Sequence, residues 1–209
     1  MKSRGRGNEP LVLIVDDDLS IREAITDLLR SVSMESMSFS TTADLLNAVI
    51  PDRPGCIVLD VRLPDLSGLD LQVQLQARDN RMPIVFLTGY GDIPMSVRAM
   101  KAGAADFLTK PVRDQDLLDA ILAAIRSDNI RRGAEAERRS VARLAASLTA
   151  REREVAAAVA RGLVNKQIAH ELGISEVTVK LHRGSAMRKM RVSSVVDLVN
   201  KAKIAGISQ

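Results

Sequence analysis

The chain has 209 residues, a formal charge of +4 and a single cysteine, so it can hold two small domains and cannot form an intrachain disulfide. Aromatic residues make up 2% and tryptophan is absent, which leaves any core to Leu, Val, Ile, Met and Ala. No apolar run approaches the ~18 residues of a membrane span, and the basic start runs into three aspartates, unlike a secretory signal. A cytoplasmic protein with no membrane partner is the expectation.

Charge divides the chain. Residues 1–128 carry 14 Lys/Arg against 19 Asp/Glu, whereas residues 129–209 carry 16 against 7. An acidic domain joined to a nucleic-acid-binding one fits that asymmetry.

Residues 1–9 are rich in Gly and Arg and are expected to be disordered. From 10 to 128, short apolar runs alternate with helical patterns, as in a parallel α/β sheet. The runs at 11–15, 56–59, 84–87 and 105–108 predict strands buried on both faces, and a weaker one is marked at 35–39. Cys56 lies inside such a run and is expected to be a buried small hydrophobe. Ile21, Ala24, Ile25, Leu28, Leu29 and Val32 recur at helical spacing, with Ser20 and Glu23 in a capping-box pattern. Further helices are predicted at 68–78, 92–102 and 113–127.

Ile130, Ala134, Glu137, Val141, Leu144 and Leu148 then follow a short heptad register. The stretch 129–146 is read as a helical linker, either solvated or pairing as a coiled coil. Thr149 and Glu152 form a second capping box ahead of a helix at 150–161, and Gly162 stands where that helix should stop. A helix at 165–172 leads through Gly173-Ile174-Ser175 into one at 176–191, and a final helix is predicted at 194–205. Two helices joined by a short Gly-containing turn read as a helix-turn-helix, here within 147–209.

In a parallel sheet the strand C-termini share one edge, where ligands bind. Asp16-Asp17-Asp18, Asp60, Thr88-Gly89 and Lys110-Pro111 each end an apolar run and converge there. Carboxylates suit Mg²⁺, and an ammonium with a hydroxyl suits a phosphoryl group.

Those residues, with Leu59-Asp60-Val61-Arg62-Leu63-Pro64-Asp65-Leu66-Ser67-Gly68 and Ala102-Gly103-Ala104, resemble a response-regulator receiver domain over 10–128. The resemblance implies a doubly wound, flavodoxin-like α/β fold. It makes Asp60 the phosphoacceptor, Asp16, Asp17, Asp60 and the Arg62 carbonyl the Mg²⁺ ligands, and Lys110 a phosphate contact before a cis Pro111. Thr88 and Phe107 take the places of the family's switch pair, and Tyr90 is expected to border the pocket. Asp18 has no role in that pattern. An alternative uses Asp16-x-Asp18-x-Ser20, which resembles the catalytic loop of haloacid-dehalogenase-type phosphatases, but no later strand-end acid completes their metal site.

The segments Leu148-Thr149-Ala150-Arg151-Glu152, Gly162-Leu163-Val164-Asn165-Lys166-Gln167 and Val177-Thr178-Val179-Lys180-Leu181 resemble the all-α LuxR-type helix-turn-helix. Together the two parts resemble the NarL/FixJ family of transcription regulators, closest to its FixJ branch. At 100° per residue, Val179, Ala186 and Met190 share an inward face, flanked by His182. The opposite face offers Val177, Lys180 and Leu181 to bases, while Lys166, Thr178, Arg183 and Arg188 are the phosphate-contact candidates. The implied protein is no metabolic enzyme. Its expected partners are a histidine kinase, promoter DNA, a second copy of itself on phosphorylation, and RNA polymerase. A receiver that only docks proteins and is never phosphorylated remains the competing reading, against which the complete acid and lysine set argues.

Overall fold

The computed structural model describes residues 9–89 and 92–207; all but the last residue of the expected disordered start, and Tyr90, lie outside them. Two compact units divide between Arg132 and Gly133.

The first unit holds five parallel strands: β1 (Leu11–Val15), β2 (Glu35–Phe39), β3 (Gly55–Leu59), β4 (Ile84–Thr88) and β5 (Asp106–Thr109). Their order is β2-β1-β3-β4-β5. Strand alternation builds the layers. Leu11, Leu13, Val15, Ile57, Leu59 and Phe86 face one side and pack against α2 (Thr42–Asn47), α3 (Gly68–Ala77) and α4 (Ile93–Lys101). Val12, Ile14, Cys56, Val58, Val85 and Leu87 face the other, against α1 (Leu19–Ser31) and α5 (Asp114–Ala146). Buried on both faces, these strands are apolar throughout. Cys56 is wholly buried, and that burial pushes its thiol up to about 12.

One local expectation is corrected, and one element is added. The cap of α1 is Asp18, whose carboxylate accepts the Ser20 and Ile21 amides at 2.8 and 3.4 Å, so the Ser20/Glu23 box does not start the helix. The six-residue α2 was not anticipated at all. Its first amides, Thr42 and Ala43, are held at 3.4 and 3.1 Å by Asp65, from the loop after β3.

The helix read at 113–127 and the helical linker at 129–146 form one continuous element, α5. Ile130 is 75% exposed, while Val141 and Leu148 are buried in the core of the second unit with Leu144 against them. The heptad positions from 141 onward are thus filled by their own chain, which leaves a partner only the earlier ones.

The second unit is helical: α6 (Ala150–Ala160), α7 (Asn165–Leu172), α8 (Glu176–Lys189) and α9 (Val195–Ile204) follow α5. Thr149 and Glu152 form the expected capping box on α6, and Ser175 caps α8 by accepting the Thr178 amide at 3.1 Å. Gly173 takes a left-handed conformation at φ +64 to end α7. Val155, Ile168, Val179, Ala186, Met190 and Leu198 close the core.

Candidate functional site

Backbone pairing alone brings the acids and the lysine together. Val15 stands opposite Leu59, and the Asp60 amide donates to the Val15 carbonyl at 2.8 Å, so Asp16 and Asp60 leave adjacent strands side by side. The Lys110 amide donates to the Thr88 carbonyl at 2.8 Å, which aligns the ends of β4 and β5. The sheet order reverses between β1 and β3, the place where doubly wound sheets open a crevice.

Inside that crevice the Lys110 ammonium bridges the carboxylates of Asp16 and Asp60 at 2.6 and 2.7 Å. Burial alone would lower the lysine, but its bonds to Asp16 and Asp60 outweigh this and hold it above its ordinary value. Burial raises the Asp16 carboxyl above the usual carboxylate range, against the pull of Lys110. The second oxygen of Asp16 accepts the Asp18 amide at 2.9 Å, and that of Asp60 accepts the Arg62 amide at 3.0 Å. Each carboxylate is therefore held from two sides.

Asp16, Asp17 and Asp60 each present a carboxylate oxygen within 4.8 Å of the other two. Three hard oxygen donors at that spacing fit an octahedral Mg²⁺ that keeps several of its waters. Asp17 is exposed, whereas Asp16 and Asp60 are buried. Asp18 stands outside this group, its carboxylate committed to the α1 cap, which removes the second acid of the phosphatase-type loop. Thr88 is buried at the end of β4, and Phe107 is half-buried beside Phe86, with ring centroids 6.0 Å apart. Lys110-Pro111 is cis.

In the second unit α8 buries Val179, Ala186 and Met190 and exposes Lys180, Gly184 and Arg188. Val177 and Leu181 are 67% and 69% exposed on the same face, an apolar pair among cations that suits thymine methyls beside phosphates. Lys166 is exposed on the first turn of α7. The Thr178 hydroxyl lies 2.8 Å from that of Ser175, and Arg183 donates to Asn165 at 3.0 Å, tying α8 to the start of α7. His182 is half-buried at the edge of the core.

Residues 12–122 match the response regulator receiver domain family, and residues 146–202 match the luxR family of bacterial regulatory proteins. Nodulation protein W of Bradyrhizobium diazoefficiens is 48% identical, the match covering 98% of this chain and 93% of that one. The transcriptional regulatory protein FixJ of Azorhizobium caulinodans is 41% identical over 94% of this chain and 93% of its own. Among solved structures, the response regulator StyR matches with a TM-score of 0.83 at 48% identity, covering 93% of this chain and 98% of that one. This chain is a response regulator of the NarL/FixJ family.

Further residues, to which the sequence motifs assign no role, brace the pocket and α8. Arg22 on α1 donates to the Asp16 and Asp17 carbonyls at 2.8 and 2.9 Å, clamping the acidic turn from behind. Gly68, the first residue of α3, leaves no room for a side chain, since a Cβ there would lie 2.3 Å from the Asp60 carbonyl oxygen. Asp65 braces the loop after Asp60 against α2, and its bond from the Thr42 hydroxyl at 2.7 Å holds its carboxyl below the ordinary value. In the DNA-binding domain, buried Glu152 accepts from Ser185 and Lys189 of α8, each at 2.6 Å. A capping box flagged Glu152 only as a helix start; nothing local pointed to α8.

Proposed function

We propose that this transcriptional regulator is switched by phosphorylation of Asp60, with a histidine kinase as donor and altered binding to promoter DNA as output. The observation that carries this reading is the single ammonium of Lys110 held between two buried carboxylates at the sheet edge. One Asp60 oxygen attacks the phosphorus of a phosphohistidine, the P–N bond breaks, and the imidazole leaves with its electron pair. Lys110 stays within reach of the transferred oxygens and offsets their charge. Asp16, Asp17, Asp60 and the Arg62 carbonyl would hold Mg²⁺, which when bound neutralises charge developing on the phosphoryl group.

A phosphoryl group on Asp60 supplies a new acceptor for the Thr88 hydroxyl, and Phe107 moves into the volume that the threonine leaves. Such a mark only has to bias two pre-existing receiver states by a few kcal/mol. The favoured state pairs two copies, so that two α8 helices meet adjacent half-sites on the duplex. Lys180, Val177 and Leu181 read bases there, while Lys166, Thr178, Arg183 and Arg188 meet phosphates. RNA polymerase is the partner downstream, and the setting is cytoplasmic; among the described residues no helix is long and apolar enough to cross a membrane.

Incubation with acetyl phosphate and Mg²⁺, followed by intact-mass analysis and light scattering, tests the reading. The expected result is one added phosphoryl group and a doubled mass for the wild type, both lost in Asp60→Asn and on chelation of the metal. Labelling that survives Asp60→Asn, or a DNA affinity that is the same with and without the label, would refute it.

A further inference from the structure

Within the second unit, a cavity of about 500 Å³ lies between the end of α5 and the C-terminal end of α8. Arg143, Arg188, Arg191 and Lys189 line it with the hydroxyl residues Ser140 and Ser147, and no carboxylate does. Lys189 is neutralised by Glu152 at 2.6 Å. Among the described residues, the side chains of Arg143, Arg188 and Arg191 have no ion pair or hydrogen bond. Three unpaired guanidinium groups around one cavity repel each other unless an anion sits between them.

The negative end of α8 does not account for them. The carbonyls just past its end, of Met190 and Arg191, already accept the Lys201 ammonium at 2.9 and 3.3 Å. Arg191 is itself strained, with φ +52 at the position that closes α8, where glycine costs least. At 100° per residue, Arg188 continues the exposed stripe of Val177, Lys180 and Leu181, and Arg191 follows just past the helix end. A recognition helix reads bases with its first turns, so its far end meets the sugar–phosphate backbone.

We propose that this cavity is a binding site for one backbone phosphodiester of the bound duplex, with Arg143 supplying a contact from α5, outside the helix-turn-helix. The linker end is then part of the DNA-binding surface. This inference rests on the DNA-binding reading of the domain.

Fluorescence anisotropy of the full-length protein on a short duplex of arbitrary sequence, titrated between about 50 and 200 mM salt, tests it. Arg143→Ala and Arg191→Gly should each weaken binding about tenfold and reduce the salt slope, and the double variant should lower that slope by about 0.9, the loss of the one phosphate contact. Arg191→Gly should also raise the melting temperature, because it relieves the left-handed strain; affinity and stability then move in opposite directions, which a purely structural arginine cannot produce. Unchanged affinity and slope in both variants, while Lys166→Ala still lowers the slope, overturns the cavity site and leaves DNA binding intact. A wild type with no salt-dependent binding overturns both. If inorganic phosphate raises the melting temperature of the wild type but not of Arg143→Ala, and the duplex slopes are unchanged, the occupant is a small anion and the duplex assignment fails.

Discussion

Glu152 offers a quantitative test of how the recognition helix is held. Its carboxylate accepts from Lys189 and Ser185 at 2.6 Å and from the Thr149 amide at 2.8 Å. The Lys189 bond, then Ser185 and the Thr149 amide, draw its pKa from an ordinary 4.5 down to about 2. At about 1.4 kcal/mol per pKa unit this corresponds to roughly 3 kcal/mol. Lys189 is 34% exposed, so water screens part of the pair, and about 2 kcal/mol is the expected stabilisation at pH 7. Because the folded pKa is depressed, that stability is present in full above 4.5 and disappears as pH falls toward 2. Urea titration monitored by hydrogen-exchange mass spectrometry reports each unit separately. Glu152→Gln should lose about 2 kcal/mol at pH 7 in α6 and α8 alone, and its difference from wild type should shrink steadily between pH 4.5 and 2. Equal stability at pH 7, or a difference that stays constant through the acid range, would refute the assignment.

Gly68→Ala should destabilise the receiver by about 1–3 kcal/mol and slow phosphorylation from acetyl phosphate, because its Cβ displaces the Asp60 carbonyl only 2.3 Å away; paired thermal melts and labelling rates check this. Asp128→Ala should lose about 3–5 kcal/mol, since this wholly buried carboxylate accepts from Arg131, Arg132 and the Gly55 amide, and hydrogen exchange at β3 and α5 is the readout. With its thiol pushed up to about 12, Cys56 should resist a disulfide reagent in the native protein at pH 8 and react fully once unfolded.

The strands at 11–15, 56–59 and 84–87 were legible because burial on both faces leaves nothing but apolar residues, and their ends name the pocket directly. The edge strand β2, Glu-Ser-Met-Ser-Phe, is only partly buried and carries a faint pattern for the same reason. Helix α2 escaped because it is six residues long and depends on Asp65, 23 positions away. The Ser20 pattern fits a cap, yet Asp18, two residues earlier, starts the helix by accepting the Ser20 and Ile21 amides. The heptad of 130–148 shows what periodicity cannot tell: an apolar seam looks alike whether a second chain covers it or, as at Val141 and Leu148, the same one does. Glu152 and its partners on α8 are 33 and 37 residues apart, beyond the reach of any local signal.

The buried Asp128 also fixes where this protein can be cut. Strand β3 leads into Asp60, the proposed phosphoacceptor, and its first amide, on Gly55, hangs from Asp128, six residues past the end of the receiver match at 122. Engineers who graft a different output onto this receiver should place the seam after Arg132, because a splice at the family boundary would strip away the anchor of the strand that leads into Asp60.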